Sequence, residues 1–174
     1  KRIPPHRRTL VGVPVLLHDK DDIAVQIERL EVHHLSSTGG AVHFALLSDA
    51  MDSVTEANLQ DAALIAAATE AIARLNARYP SEDEDRFYFL HRRRLWNPAE
   101  GVWMGWERKR GKLAELNRLL RGATDTSYSI ISSPLPQGVR YVITLDADTR
   151  LLRGTVSQMV GKIAHPLNRA RFDP

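Results

Sequence analysis

The sharpest chemical feature of the sequence is YVITLDADTRL, residues 141–151, where an apolar run ends in Asp146 and Asp148, spaced i, i+2. In extended or turn backbone that spacing aims both carboxylates at a point beyond a sheet edge. Two hard oxygen donors suit Mg2+ or Mn2+, which keep open positions for phosphate oxygens. A cation held there neutralises charge on a leaving diphosphate. A polar turn with Asp148 capping the next segment explains the same residues without chemistry. The second feature is WERKRGKLAELNRLL, residues 106–120, with five Lys/Arg between Arg108 and Arg118 at a helix start. The free N–H groups and positive dipole end of a helix favour anions, so Lys112 or Arg108 is placed to meet a phosphate. The competing reading is a solvated basic face. The third is HRRRLWNPAEGVWMGWE, residues 91–107, which holds all three tryptophans behind His91 and three arginines. Aromatic planes and guanidinium forks serve sugar and nucleotide sites, although tryptophans also simply bury loops. Asp49, after an apolar strand, is suited to accept from a base or ribose, or to cap a helix. His33, His34 and His43 form no HxxxH or HxH pair, so no metal site is assigned to them.

These residues need elements to carry them. Residues 1–8 (KRIPPHRR) read as an extended segment or linker. Thr9 to Leu17 is a buried strand interrupted at Pro14, where a central strand should end or reach an edge. Asp19 and Asp21 cap a helix to about Leu35, with Ile23, Ile27, Leu30 and His34 on one face. After the Ser36–Gly40 turn, Ala41 to Leu47 is a second strand. Thr55 to Arg78 is an alanine-rich helix stopped by Pro80. Arg86 to Leu90 is a short aromatic strand, residues 91–107 show no period, and Arg108 to Arg121 is a helix closed by Gly122. Ser127 to Gln137 is a loop, Val139 to Leu145 a strand, and Thr155 to His165 a helix. Apolar strands alternating with helices predict an α/β fold, a mostly parallel sheet with helices on both faces. Ligands in such sheets sit at the carboxyl ends of strands, where Asp49, Asp146 and Asp148 fall.

Composition narrows the classes. The 174 residues are 43% hydrophobic and 26% charged, ordinary globular values that exclude wholesale disorder. No apolar run reaches the roughly 18 residues needed to span a bilayer. No cysteine is present, which removes disulfides, Cys-zinc sites and Cys nucleophiles. The net charge of +3 suits an anionic small ligand and is too weak to argue nucleic acid. The start at Lys1 and stop at Asp173-Pro174 lead us to expect a piece of a longer protein.

The strings IPPHRRTLVGVPVLL, ERLEVHHL, FALLSD, HRRRLWNPAEGVWMGWERKRGKLAELNRLLRG, VRYVITLDADTRL and GKIAHPLN together resemble the glycosyltransferase domain of cyclic β-1,2-glucan synthases, very large bacterial inner-membrane proteins. The long central string and DADTRL are the specific ones, and the resemblance covers almost the whole chain. It implies a GT-A-like, Rossmann-like fold, incomplete at its C-terminal side, with residues 9–174 as its N-terminal nucleotide-sugar-binding part. It implies an inverting glucosyltransferase using UDP-glucose and Mg2+ or Mn2+ to extend a β-1,2-glucan acceptor, on the cytoplasmic face, within a multi-pass parent. Asp146 and Asp148 match the DxD motif for metal and diphosphate. Asp49 matches the aspartate that contacts uridine. Lys112 and Asn117 resemble the Lys and Asn facing the nucleotide, and Pro14 lies where the first strand opens into the uridine pocket. The family's base and acceptor motif come later and would lie beyond Pro174, so the isolated piece is expected to be inactive in transfer. Two other readings stand beside this one. VITLDADT also satisfies the DxDx[TV] signature of haloacid-dehalogenase-like phosphatases, with Asp146 as nucleophile. A non-catalytic α/β module that binds anions through its basic stretch is the third.

Overall fold

The computed structural model describes residues 2–168. Seven strands follow in chain order: β1 (Thr9–Leu17), β2 (Val42–Ala50), β3 (Phe87–Arg92), β4 (Leu95–Asn97), β5 (Val102–Met104), β6 (Tyr128–Ile131) and β7 (Tyr141–Thr144). Four helices join them: α1 (Lys20–Ser36), α2 (Asp61–Arg78), α3 (Arg108–Leu119) and α4 (Thr155–Ile163). The main sheet has the order β6-β3-β2-β1-β7, while β4 and β5 form a separate hairpin. β1, β2, β3 and β7 are parallel and β6 closes one edge antiparallel to β3.

Period-2 alternation divides the strand residues between two cores. Val42, Phe44 and Leu46 of β2 face one way and pack with Ile23 and Leu30 of α1, Ile72 and Leu75 of α2, and Val156 and Val160 of α4. Ala45 and Leu47 face the other way and join Tyr88, Leu90 and Leu116 of α3. The sheet is therefore mostly parallel with helices on both faces, as the strand and helix pattern predicts, and is compatible with a Rossmann-like fold. Chain order runs outward from β1 through β2 to β3, then returns to the far side of β1 for β7. That reversal opens a crevice at the carboxyl ends of β1 and β7, the place where open α/β sheets bind ligands.

Pro14 explains how the crevice opens. Gly12 accepts a hydrogen bond from the Leu145 N–H at 3.0 Å, and the β1–β7 pairing ends at Gly12 and Thr144. Two residues further along the same edge of β1 stands Pro14, which has no N–H to continue the ladder. β7 therefore leaves the sheet, while β1 stays paired with β2 through Leu17 and Ala50. The expected edge at Pro14 is present, without interruption of the strand.

Several boundaries differ from the sequence expectation. Residues 2–8 are docked rather than free: Ile3 is buried and bridges Gly40, and Pro5–Arg7 make a 3-10 turn. The second strand continues three residues past Leu47, so Asp49 sits inside it. The second helix begins at Asp61 instead of Thr55. Its expected first turns are a loop in which Ser53 and Thr55 hydroxyls donate to Asn58 Oδ1 and the Asn58 N–H donates to Asp61. Such local side-chain bonds compete with helix. β4 and β5 arise within residues 91–107, which show no period, and β6 within the expected loop 127–137. Within the described residues, no helix is long and apolar enough to cross a membrane.

Candidate functional site

A crevice of about 620 Å3 opens at the carboxyl ends of β1 and β2, between the first turns of α1 and α3. Pro14, Asp49, Lys109 and Lys112 line it, with Ala147 at its β7 side. Asp49 and Lys112 come together by parity. Asp49 lies on the α3 face of β2, directly opposite Arg92 of β3. Lys112 and Glu115 project from α3 at i, i+3, toward the same face.

The result is a buried quartet of charges. Arg92 is fully buried and uses all five of its donors. Nε and Nη2 donate to the two Asp49 oxygens at 2.7 and 2.9 Å. Nη1 donates to Glu115 Oε2 at 2.7 Å. The remaining two N–H groups donate to the carbonyls of Trp106 and Arg108, both at 3.0 Å. Lys112 Nζ donates to the Val15 carbonyl at 2.8 Å and stands 3.1 Å from Asp49 Oδ2. Burial pushes the Lys112 ammonium below the ordinary lysine range, against the pull of the Asp49 charge. Burial also works to raise the Glu115 carboxyl. The Ser127 N–H and hydroxyl (both 2.6 Å) and the Arg92 guanidinium outweigh it, so Glu115 lies below its usual value. Two carboxylates and two cations make the quartet formally neutral.

This quartet also fixes the entry to α3. Glu107 and Arg108 both have left-handed backbone, φ 51° and 48°, a conformation costing non-glycine residues about 1–3 kcal/mol each. Arg92 holds the carbonyls on either side of that turn. Gly105 packs so closely that a Cβ would lie 2.5 Å from Asp49 Oδ2. Each cation of the expected anion-binding run has a carboxylate partner. Arg108 bridges Asp52 and Glu100, each at 2.7 Å. Lys109 pairs with Asp146, and Arg110 with Glu107.

Asp146 and Asp148 sit on a turn closed by Thr149 N–H donating to the Asp146 carbonyl at 2.9 Å. Arg29 of α1 donates to the Ala147 carbonyl at 2.7 Å, and Ala147 packs against the core, so the turn is anchored at its middle residue. Both aspartates are exposed. Asp146 reaches the crevice through Lys109, whereas Asp148 is outside the crevice lining. Among the described residues no cluster of three or more His, Asp or Glu side chains is placed to share a metal ion. Two carboxylates on an exposed turn still fit Mg2+ or Mn2+, which take their other ligands from water and phosphate. The ammonium already on Asp146 marks it as a cation-accepting position. Asn117 stands apart from this group. It lies five residues beyond Lys112 on α3, is exposed, and lines a different cavity with Tyr141 and Met159.

Sequence reasoning passed over the strand-borne roles of His91 and Arg92 and the loop-anchoring role of Arg94, and it missed Glu115. Period-2 parity carries the signal. Tyr88, Leu90 and Arg92 share one face of β3, whereas Phe89 and His91 share the other. His91 Nδ1 lies 2.7 Å from the Ser48 hydroxyl, and burial pushes its ring down to about 4. Arg94 grips Asp61 and the carbonyls of Met51 and Glu56, fixing the loop after β2.

No protein-family model matches the chain. Over 172 residues, 99% of its length, it is 52% identical to the protein named cyclic beta-(1,2)-glucan synthase NdvB, from Rhizobium meliloti (strain 1021). The chain spans only 6% of the length of that relative. It is thus similar to one segment of a much larger protein, and the resemblance carried by its motifs extends through the whole alignment.

Proposed function

We propose that this chain is the UDP-glucose-binding part of an inverting, metal-dependent glucosyltransferase that builds β-1,2-glucan. The likeness to a segment of a cyclic β-1,2-glucan synthase supports the product and, with it, the role in synthesis. One structural observation carries the donor assignment. The crevice at the β1/β7 reversal gathers Pro14, Asp49, Lys112 and, through Lys109, Asp146 at the start of a basic helix.

On this reading the uracil and ribose enter beside Pro14 and Asp49, and the diphosphate lies toward the first turn of α3. Asp146 and Asp148 would hold Mg2+ or Mn2+, which supplies charge neutralisation on the departing UDP. Lys109 is exposed and its ion pair with Asp146 is weak, as surface pairs are. Released from Asp146, it turns to the diphosphate. Lys112, buried and fixed by Val15 and Asp49, holds its nitrogen at a set place in the crevice wall, its charge balanced within the quartet. The β-1,2-glucan acceptor hydroxyl attacks the anomeric carbon opposite UDP, and its proton goes to a base outside these residues. The chain by itself binds donor without transferring glucose. Its parent acts at the cytoplasmic face of the bacterial inner membrane. Asn117, remote from the crevice in this structure, joins the site only if the α3 end or neighbouring segments bring nucleotide to it.

Calorimetric titration with UDP, with and without Mn2+, tests the assignment. Binding is expected to strengthen with metal, and Asp146→Asn and Asp148→Asn are expected to remove that gain. Equal metal-dependent binding by parent and both variants refutes the DxD role. Turnover of a phosphomonoester by the chain would instead favour Asp146 as a phosphatase nucleophile.

A further inference from the structure

Beside the donor crevice lies a second groove of about 530 Å3, between the β4–β5 hairpin and the start of α3. Trp96 and Trp106 line it with Glu100 and Glu107. The two indoles are 50% and 46% exposed, although tryptophan is highly buried on average. Neither is loose. Trp96 pairs across the hairpin with Trp103, ring centroids 5.8 Å apart. Trp103 in turn exchanges backbone hydrogen bonds with Ser53 at 2.9 and 2.8 Å. Trp106 is tethered through its carbonyl to buried Arg92. Arg108 ties the hairpin turn to the loop after β2 through Glu100 and Asp52, and it lines both this groove and the donor crevice.

We propose that this groove binds a glucan chain, the acceptor side of the reaction; the inference rests on the transferase reading and adds a second substrate site to it. Indole faces offer flat apolar platforms to the C–H faces of pyranose rings. Glu100 and Glu107 each give one oxygen to an arginine and keep the other to accept sugar hydroxyls. Rigid aromatic platforms rimmed by acceptors match a neutral, polyhydroxylated polymer and cost little ordering on binding. A volume within the range of ligand clefts, about 300–1,000 Å3, admits a short run of sugar units. Continuity with the donor crevice through Arg108 puts an acceptor end within reach of the donor.

The test titrates the chain with linear β-1,2-gluco-oligosaccharides and follows tryptophan fluorescence and the indole N–H signals by NMR. Saturable binding that moves the Trp96 and Trp106 signals is expected. Trp96→Ala and Trp106→Ala are each expected to weaken it about tenfold, with UDP affinity retained. No binding at tens of millimolar sugar overturns the inference. So do indole shifts that depend on protein concentration alone, which assign the groove to a second copy of the chain. The wild-type NMR titration decides the matter even if a variant fails to fold. A chain that binds UDP and no glucan overturns this inference alone; one that binds glucan and no UDP overturns the donor assignment alone.

Discussion

Replacing Arg92 by Met removes one side chain and leaves two buried carboxylates, Asp49 and Glu115, without their common partner. It also frees the carbonyls of Trp106 and Arg108 from their only side-chain donor in the quartet. Removing one member of a buried ion pair costs about 3–5 kcal/mol, because the uncompensated charge stays behind. That is a large share of the ~5–15 kcal/mol that holds a domain folded. At about 2–4 °C per kcal/mol for a chain of this size, the midpoint should fall by ~6–20 °C. Circular dichroism during heating and urea titration reads the loss. A pH series adds a sharper signature. In the parent, Glu115 is held below its usual value, so its contribution is present above the ordinary carboxyl range and is lost as pH falls through the depressed value. Without the guanidinium that contribution shrinks, so the gap between parent and variant should narrow on acidification. Adding Asp49→Asn and Glu115→Gln to Arg92→Met should recover part of the stability. A variant within ~1 kcal/mol of the parent, the loss an ordinary point substitution brings, would refute the idea that the quartet stabilises the fold.

Gly105→Ala should destabilise by about 1–3 kcal/mol through overpacking, since the new Cβ meets Asp49 and Arg92 at 2.5 and 2.8 Å. Gly161→Ala, inside α4 with open space around it, should stabilise by about 0.5–1 kcal/mol; paired thermal melts check both signs. His91, pushed down to about 4 by burial, should stay neutral at pH 5 while the unfolded chain protonates near 6.5. Its share of stability is therefore complete above 6.5 and declines as pH falls toward 4, by up to about 3 kcal/mol. An imidazole NMR titration showing His91 protonating near 6.5 would contradict this, and His91→Asn should flatten that part of the pH profile.

The architecture was legible because its signals are local and repeated. Apolar runs such as Thr9–Leu17 and the 3.6-residue pattern from Ile23 to Leu30 specify strand and helix without help from distant residues. Pro14 was legible as an edge marker for a similar reason, since its missing N–H is a property of one residue. The short strands were less visible. β4, β5 and β6 are three to four residues long, too short to display a period, and exist through their partners. The start of α2 was misplaced because alanine content favours helix, while the Ser53, Thr55, Asn58 and Asp61 bonds that win there depend on side-chain geometry. The quartet was half visible. Asp49 and Lys112 stand out as candidates, yet Arg92 is one of three arginines in a row and Glu115 carries no signal of its own. Their pairing depends on β3 lying beside β2 with Asp49 opposite Arg92, a fact of register that no single segment contains.

The missing donor at Pro14 also bears on how this chain avoids sticking to itself. From Val13 to Leu17, β1 has a bare flank on the side that β7 abandons, and bare flanks recruit strands from neighbouring molecules. A recruited strand would have to pair across a proline, just past the point where β7 itself departs. The same residue that keeps the crevice open to a small ligand thus guards it against polymerisation.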